Sequence, residues 1–196
     1  MLHFGQRRRS ASLDGTKPAE VDREILRQAR FWYPLVVEKK TPREILEKDP
    51  ELQKLGWVTD ENYVADRHYT FHHQLADKNL TEAWAKVAAT RLSVGRNVAS
   101  PRVLAIWGTS DLHVDRASSA WIAEVVNRAK PGNGTFIALD SVDHFFYHAA
   151  TPEESYQLSK PAKGAPAREF SPVILETLRA WLDETAGRAR KGPRNP

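Results

Sequence analysis

Two short apolar segments, separated by a helix-length stretch, most constrain the fold of this chain. The first segment, residues 103–107, ends shortly before Asp111, and the second, residues 135–139, ends shortly before His144. Apolar runs of this length are typical of strands that are buried on both faces of a parallel sheet. Residues 118–130 have helical periodicity and are long enough to form the crossover that parallel strands require. The sequence therefore predicts an α/β fold.

Asp111 and His144 occupy equivalent positions in this strand-helix-strand arrangement. Each follows the carboxyl end of its predicted strand, where open α/β sheets collect reactive and ligand-binding side chains. Taken singly, Asp111 would be interpreted as a turn or helix cap, and His144 as a hydrogen-bonded histidine at the rim of a core. Together they predict a catalytic pair, in which the carboxylate orients an imidazole that accepts and returns a proton.

The motifs Gly108-Thr-Ser-Asp111 and Asp143-His144-Phe145 resemble the acid and histidine segments of the α/β-hydrolase family, in particular its esterase and prolyl-oligopeptidase-like members. In that family the nucleophile, the acid and the histidine follow one another in this chain order. The resemblance covers residues 30–184 and implies the C-terminal half of such an enzyme. The expected structure is a partial α/β-hydrolase fold, with a helical cap segment followed by a small parallel β unit with flanking helices.

The resemblance does not extend to the nucleophile. Hydrolases of this family carry their serine in a Gly-x-Ser-x-Gly turn between a strand and a helix, and the chain contains no such motif. The nearest approach, Arg91-Leu-Ser-Val-Gly95, has arginine at the first glycine position, and its surroundings predict neither a preceding strand nor a following helix. We therefore interpret Ser93 as an ordinary loop serine and expect the nucleophile to be missing from this chain.

Length and composition set the domain organisation. A chain of 196 residues with 41% hydrophobic residues is large enough for a substantial core and favours one globular domain. Composition predicts disordered basic tails at 1–16 and 187–196. Between them, the resemblance implies a helical cap-like segment at 17–99 and the C-terminal part of the hydrolase core at 100–186.

Helix signals are dense before residue 99. Apolar spacing predicts helices over 18–40 and 61–77. Thr41 and Asn79 each precede a glutamate by three residues, which predicts a capped helix start at both positions.

After residue 99, fewer helices are expected. Asp115 is predicted to cap the crossover helix, and the Ser171-Pro172 pair opens a last helix that ends before Gly187. Residues 152–169, which contain three prolines and a glycine, are predicted to form a loop.

The basic charge of the chain lies in its flanks. The net charge is +4 and the isoelectric point is about 9.4. Subtracting seven cations near the two ends from the net charge of +4 leaves the rest of the chain with a net charge of −3. These cations are Arg7, Arg8, Arg9, Arg188, Arg190, Lys191 and Arg194. Solvated tails account for this pattern, so no specific nucleic-acid partner is expected.

Cysteine is absent, which excludes disulfides, a thiolate nucleophile and zinc-thiolate sites. No segment has the length and apolarity of a membrane span, and the first residues lack the apolar stretch of a signal peptide. We therefore expect a cytoplasmic protein without a membrane partner, and we expect no cofactor.

Clusters of histidine and aspartate leave a metal site open as an alternative. Asp111, His113 and Asp115 lie at alternate residues, and His68 and His72 are one helical turn apart. Such sets can bind zinc or calcium. The competing interpretation is that Asp115 only caps a helix and that both histidines lie between the cap and the core.

A sheet of two parallel strands would leave polar edges exposed, so a second copy or a complementary chain is expected to cover them. Two function hypotheses follow. The first is a hydrolase-like protein that acts on a small-molecule ester, lactone or peptide through Asp111 and His144. The alternative is a non-catalytic truncated hydrolase fragment or binding module.

Overall fold

The chain folds as two compact units, Met1–Pro101 and Arg102–Pro196, in a computed structural model that describes residues 11–58, 60–94, 97–160 and 168–191. Each unit buries an apolar cluster of its own, one around Phe31 and Leu35 and the other around Leu139 and Val142. Within the described ranges, no helix has both the length and the apolarity needed to cross a membrane.

The first unit is mainly helical, but it also contains two small hairpins. Its helices are α1 (Pro18–Val36), α2 (Pro42–Lys48), α3 (Tyr69–Ala76) and α4 (Leu80–Ala89), with a 3-10 turn at Pro50–Lys54. Its antiparallel strand pairs are β1 (Tyr63–Val64) with β2 (Arg67–His68) and β3 (Leu92–Val94) with β4 (Asn97–Ala99).

The capped helix starts predicted at Thr41 and Asn79 are confirmed. The Thr41 hydroxyl accepts the Glu44 backbone N–H, while the Thr41 N–H donates to the Glu44 carboxylate at 2.7 Å. These hydrogen bonds hold the pKa of the Glu44 carboxyl below its ordinary value, chiefly through the Thr41 backbone N–H. At the second start, the Asn79 side chain accepts the Glu82 N–H at 3.1 Å.

The helix predicted over 61–77 begins only at Tyr69, so the first part of that prediction is wrong. Residues 63–68 form the β1–β2 hairpin, whose two central residues, Ala65 and Asp66, have positive φ values of 48° and 60°. Positive φ at both positions is the geometry of a two-residue hairpin turn that suits strand twist. The apolar spacing suited a helix, but the turn at Asp66 reverses the chain before a helix can form.

The second unit contains the predicted strand-helix-strand arrangement, which is confirmed. Strand β5 (Val103–Gly108) pairs in parallel with β6 (Gly134–Leu139), and α5 (Arg116–Ala129) connects them. Asp115 caps α5 by accepting the Ser118 N–H at 2.7 Å. The mixture of helices with a small parallel sheet and flanking helices is compatible with the predicted α/β class.

Helices cover both faces of this sheet. On one face α5 lies so close that a Cβ on Gly134 would be 2.3 Å from the Ala123 carbonyl oxygen. The other face packs against the last helix, α7 (Val173–Lys191), where Ile174 joins the cluster of Leu139 and Val142. Because successive strand residues point to opposite faces, Gly134 faces α5, whereas the next residue along β6 faces α7.

Two predictions near the C-terminus need correction. Residues 152–169 are not all loop, because Pro152–Ser159 form α6, capped by the Thr151 hydroxyl, which accepts the Glu154 N–H at 3.1 Å. This is the same Thr-Pro-x-Glu pattern that correctly predicted α2. The last helix also continues through Gly187 to Lys191, since one glycine costs a helix only about 1 kcal/mol and its neighbours favour helix.

The predicted disordered tails lie mostly outside the described residues, which begin at residue 11 and end at residue 191. Where the structure does describe them, residues 11–13 are helical, and residues 187–191 belong to α7. The predicted tail boundaries at 16 and 187 therefore do not coincide with the ends of regular structure.

Candidate active site

The segments that carry Asp111 and His144 meet beyond the carboxyl ends of β5 and β6. The Ser110 N–H donates to the Val142 carbonyl oxygen at 2.9 Å, which joins the turn after β5 to the loop after β6. Gly108 permits this approach, because a Cβ there would lie 2.2 Å from the same Val142 oxygen. Any larger residue would have to displace backbone.

The predicted contact between Asp111 and His144 is confirmed. Nδ1 of His144 lies 3.0 Å from Oδ2 of Asp111, and the aspartate side chain is only 6% exposed. Its other oxygen, Oδ1, accepts the backbone N–H groups of His113 at 2.6 Å and Val114 at 2.9 Å. A carboxylate anchored in this way can only accept from His144, so the proton of the neutral imidazole resides on Nδ1.

The opposite imidazole nitrogen, Nε2, faces a different environment. The His144 side chain is 38% exposed, and Nε2 has no hydrogen-bond partner within the part of the chain that the structure describes. The ring lies 4.7 Å from that of His113 and 5.1 Å from that of Phe145, centroid to centroid. With Nδ1 protonated, Nε2 carries a lone pair that can accept a proton from a bound molecule.

The sequence did not point to the residues that brace the His144 loop. Asp143 is 2% exposed and forms an ion pair with Arg168, which follows α6 in the sequence. No local motif links an aspartate to an arginine 25 residues away. The only available signal was that Asp143 directly precedes the predicted catalytic histidine.

No described hydroxyl group serves as a partner for His144. Ser93 lies in β3, opposite Val98 of β4, so the prediction that it is a loop serine is wrong. No helix follows it, which is the context that a nucleophile turn requires. Ser110 is next to Asp111 in the chain, but it is 1% exposed and donates its hydroxyl to the Ala149 carbonyl oxygen at 2.7 Å.

The residues weighed as metal ligands are engaged in other contacts. Asp115 caps α5, His72 contacts the Val64 carbonyl oxygen through Nε2 at 3.0 Å, and His68 accepts the Thr70 N–H at the start of α3. Across the described ranges, no group of three or more His, Cys, Asp or Glu side chains is arranged to hold a metal ion. Asp111, His113 and Asp115 are therefore not assembled into such a site.

Comparisons with known proteins found no match to this chain, whether with family models, curated sequences or solved structures. The geometry of Asp111 and His144 is consequently the main basis for a functional proposal.

Proposed function

We propose that this protein supplies the acid and histidine of a hydrolase that cleaves ester, lactone or amide bonds, as the C-terminal half of an α/β-hydrolase does. The observation that carries this proposal is the 3.0 Å contact between His144 Nδ1 and the anchored carboxylate of Asp111. The strand order and the Gly108-Thr-Ser-Asp111 motif also support it. The nucleophile comes from another chain or from water.

In the proposed reaction, Nε2 of His144 accepts the proton of the nucleophile while the nucleophile oxygen bonds to the substrate carbonyl carbon. Asp111 stabilises the resulting imidazolium through Nδ1–H. When the tetrahedral intermediate collapses, the bond to the leaving oxygen or nitrogen breaks and that atom takes the proton from Nε2. If a hydroxyl of another chain attacks first, water repeats the cycle on the acyl intermediate.

The proposal is tested by measuring hydrolysis of a short activated ester by the full chain. We expect His144→Ala to reduce the rate to that of buffer, because this variant lacks the imidazole nitrogen that takes the proton in the proposed reaction. His148→Ala is the matched control, since His148 is an exposed histidine of the same region with no described contact to Asp111. Ser93→Ala should also leave the rate unchanged. Full activity in His144→Ala would remove the catalytic assignment.

One observation favours the non-catalytic alternative, a truncated hydrolase fragment or binding module. Within the described residues no hydroxyl hydrogen bonds to His144, so the described part of the chain lacks a complete triad. If wild-type protein and buffer hydrolyse the ester equally, and addition of a serine-reactive phosphonate labels no chain, this alternative is favoured.

The proposed partner follows from the sheet edges. Among the described strands, β5 and β6 pair only with each other, so each presents one edge without a partner strand. Exposed edges with free backbone donors and acceptors are templates for pairing. A second copy or a complementary chain is the proposed cover, and the substrate is a small ester or lactone or a peptide.

We expect the purified chain to associate rather than remain monomeric, because the β5 and β6 edges need cover. Light scattering across a wide concentration range measures this directly. A variant that lacks residues 1–10 and 192–196 should give the same oligomer, since both strands are retained. A constant monomer mass for the intact chain at all concentrations would contradict the expectation.

A further inference from the structure

We propose that Asp143 and Arg168 form a clamp that positions His144 against Asp111. The inference rests on the proposed function, because it concerns the same imidazole. Neither residue contacts the imidazole nitrogens of His144, so both act through the backbone of the loop that follows β6. They are positioning residues and not catalytic ones.

The Asp143 carboxylate organises this loop from inside. Its Oδ1 accepts the backbone N–H groups of Phe145 and Tyr147, each at 2.9 Å. Those two residues follow His144, so the chain that bears the histidine wraps around the carboxylate. Phe146, at the centre of the wrap, has a φ of 62° in the left-handed region, a conformation that persists in a bulky residue only when its surroundings impose it.

Arg168 closes the clamp from outside. Its guanidinium pairs with Oδ2 of Asp143 and lies over the Tyr147 ring, 4.5 Å from the centroid. The segment after Arg168 adds backbone contacts, because the Ser171 N–H donates to the Phe146 carbonyl oxygen at 2.8 Å. The His144 loop, which continues directly from β6, is thus also hydrogen bonded to residues 168–171.

Burial makes this ion pair a strong constraint. The Asp143 side chain is 2% exposed and that of Arg168 is 18% exposed, and hydrogen bonds between ionised groups are about twice as strong as neutral ones. Among the residues that the structure describes, His144 is held by a single side-chain hydrogen bond, and its side chain is 38% exposed. Its ring position therefore depends on the loop backbone, and the clamp sets that backbone.

The test compares Arg168→Gln, Arg168→Lys and wild type in the full chain. Two readouts are used: the proton resonance of His144 Nδ1–H by NMR, and kcat and KM for the activated ester. In Arg168→Gln we expect the resonance to be lost and kcat to fall about 100-fold with little change in KM, since small misplacements of a reacting group have effects of this size. Arg168→Lys, which retains the charge, should recover part of both.

Arg128→Gln is the matched control, because it removes an exposed ion pair with Glu124 and such pairs contribute little. Circular dichroism identifies variants that do not fold, and if Arg168→Gln is one of them, the partial loss expected in Arg168→Lys decides. A wild-type resonance in every folded Arg168 variant overturns the clamp. If wild type shows the resonance but no hydrolysis, the proposed function fails while the clamp is still tested by NMR.

Discussion

Asp111→Asn is expected to lower ester hydrolysis by about 10⁴-fold, the size of effect seen when a catalytic histidine is held in the wrong tautomer. Oδ1 of Asp111 accepts two backbone N–H groups, so the amide oxygen of an asparagine must take that place. The amide nitrogen then faces Nδ1 of His144 and donates to it. Nε2 consequently carries the proton and can no longer accept one from a nucleophile.

The rate of activated-ester hydrolysis checks this expectation, and nitrogen NMR shifts of His144 report the tautomer. Asp115→Asn is a suitable control, because Asp115 caps α5 and asparagine is an equally good helix cap. We expect that variant to retain the wild-type rate. The double variant Asp111→Asn/His144→Ala should be no less active than His144→Ala alone, since the two residues act as one unit. Wild-type activity in Asp111→Asn would contradict the proposed role of the carboxylate.

Gly108→Ala is expected to destabilise the second unit by about 1–3 kcal/mol, the usual cost of inserting a methyl group where backbone must move. The new Cβ would lie 2.2 Å from the Val142 carbonyl oxygen and 3.0 Å from that of Asp143. Both atoms belong to the loop that carries His144. The same displacement should therefore separate His144 from Asp111 and abolish the Nδ1–H resonance.

Two glycine variants serve as controls in denaturant unfolding and NMR. Gly134→Ala places a Cβ 2.3 Å from the Ala123 carbonyl oxygen at the other end of β6, so it should destabilise the fold while leaving the His144 resonance in place. Gly187→Ala meets no atom within 4 Å and lies inside α7, so it should stabilise by up to about 1 kcal/mol. An unchanged resonance and stability in Gly108→Ala would show that the loop tolerates the methyl group.

Elements with complete local signals were predictable. The apolar runs of β5 and β6 and the helix between them need only residue periodicity, because burial between two helical layers requires apolar side chains along the whole strand. The capped starts at Thr41, Asn79 and Asp115 need only one side chain and a backbone N–H three residues later. These predictions rest on contacts between near neighbours in the chain.

Other elements were mispredicted where two local signals competed. Residues 61–68 have the apolar spacing of a helix, yet the turn at Ala65 and Asp66 and the pairing of the flanking residues produce a hairpin. Residues 152–159 directly follow a helix cap at Thr151, but the prolines of the segment favoured the prediction of a loop. Periodicity alone cannot rank such signals, because the packing of the whole segment decides between them.

The sequence by itself determined that Asp111 and His144 follow two parallel strands, because chain order and strand direction place both at the same end of the sheet. Only the tertiary structure decided how they meet. The 3.0 Å contact depends on the close backbone approach at Gly108, and the His144 loop is shaped by a buried ion pair between Asp143 and Arg168. Such contacts join residues far apart in the chain, and their strength comes from burial, which exists only once the segments have packed together.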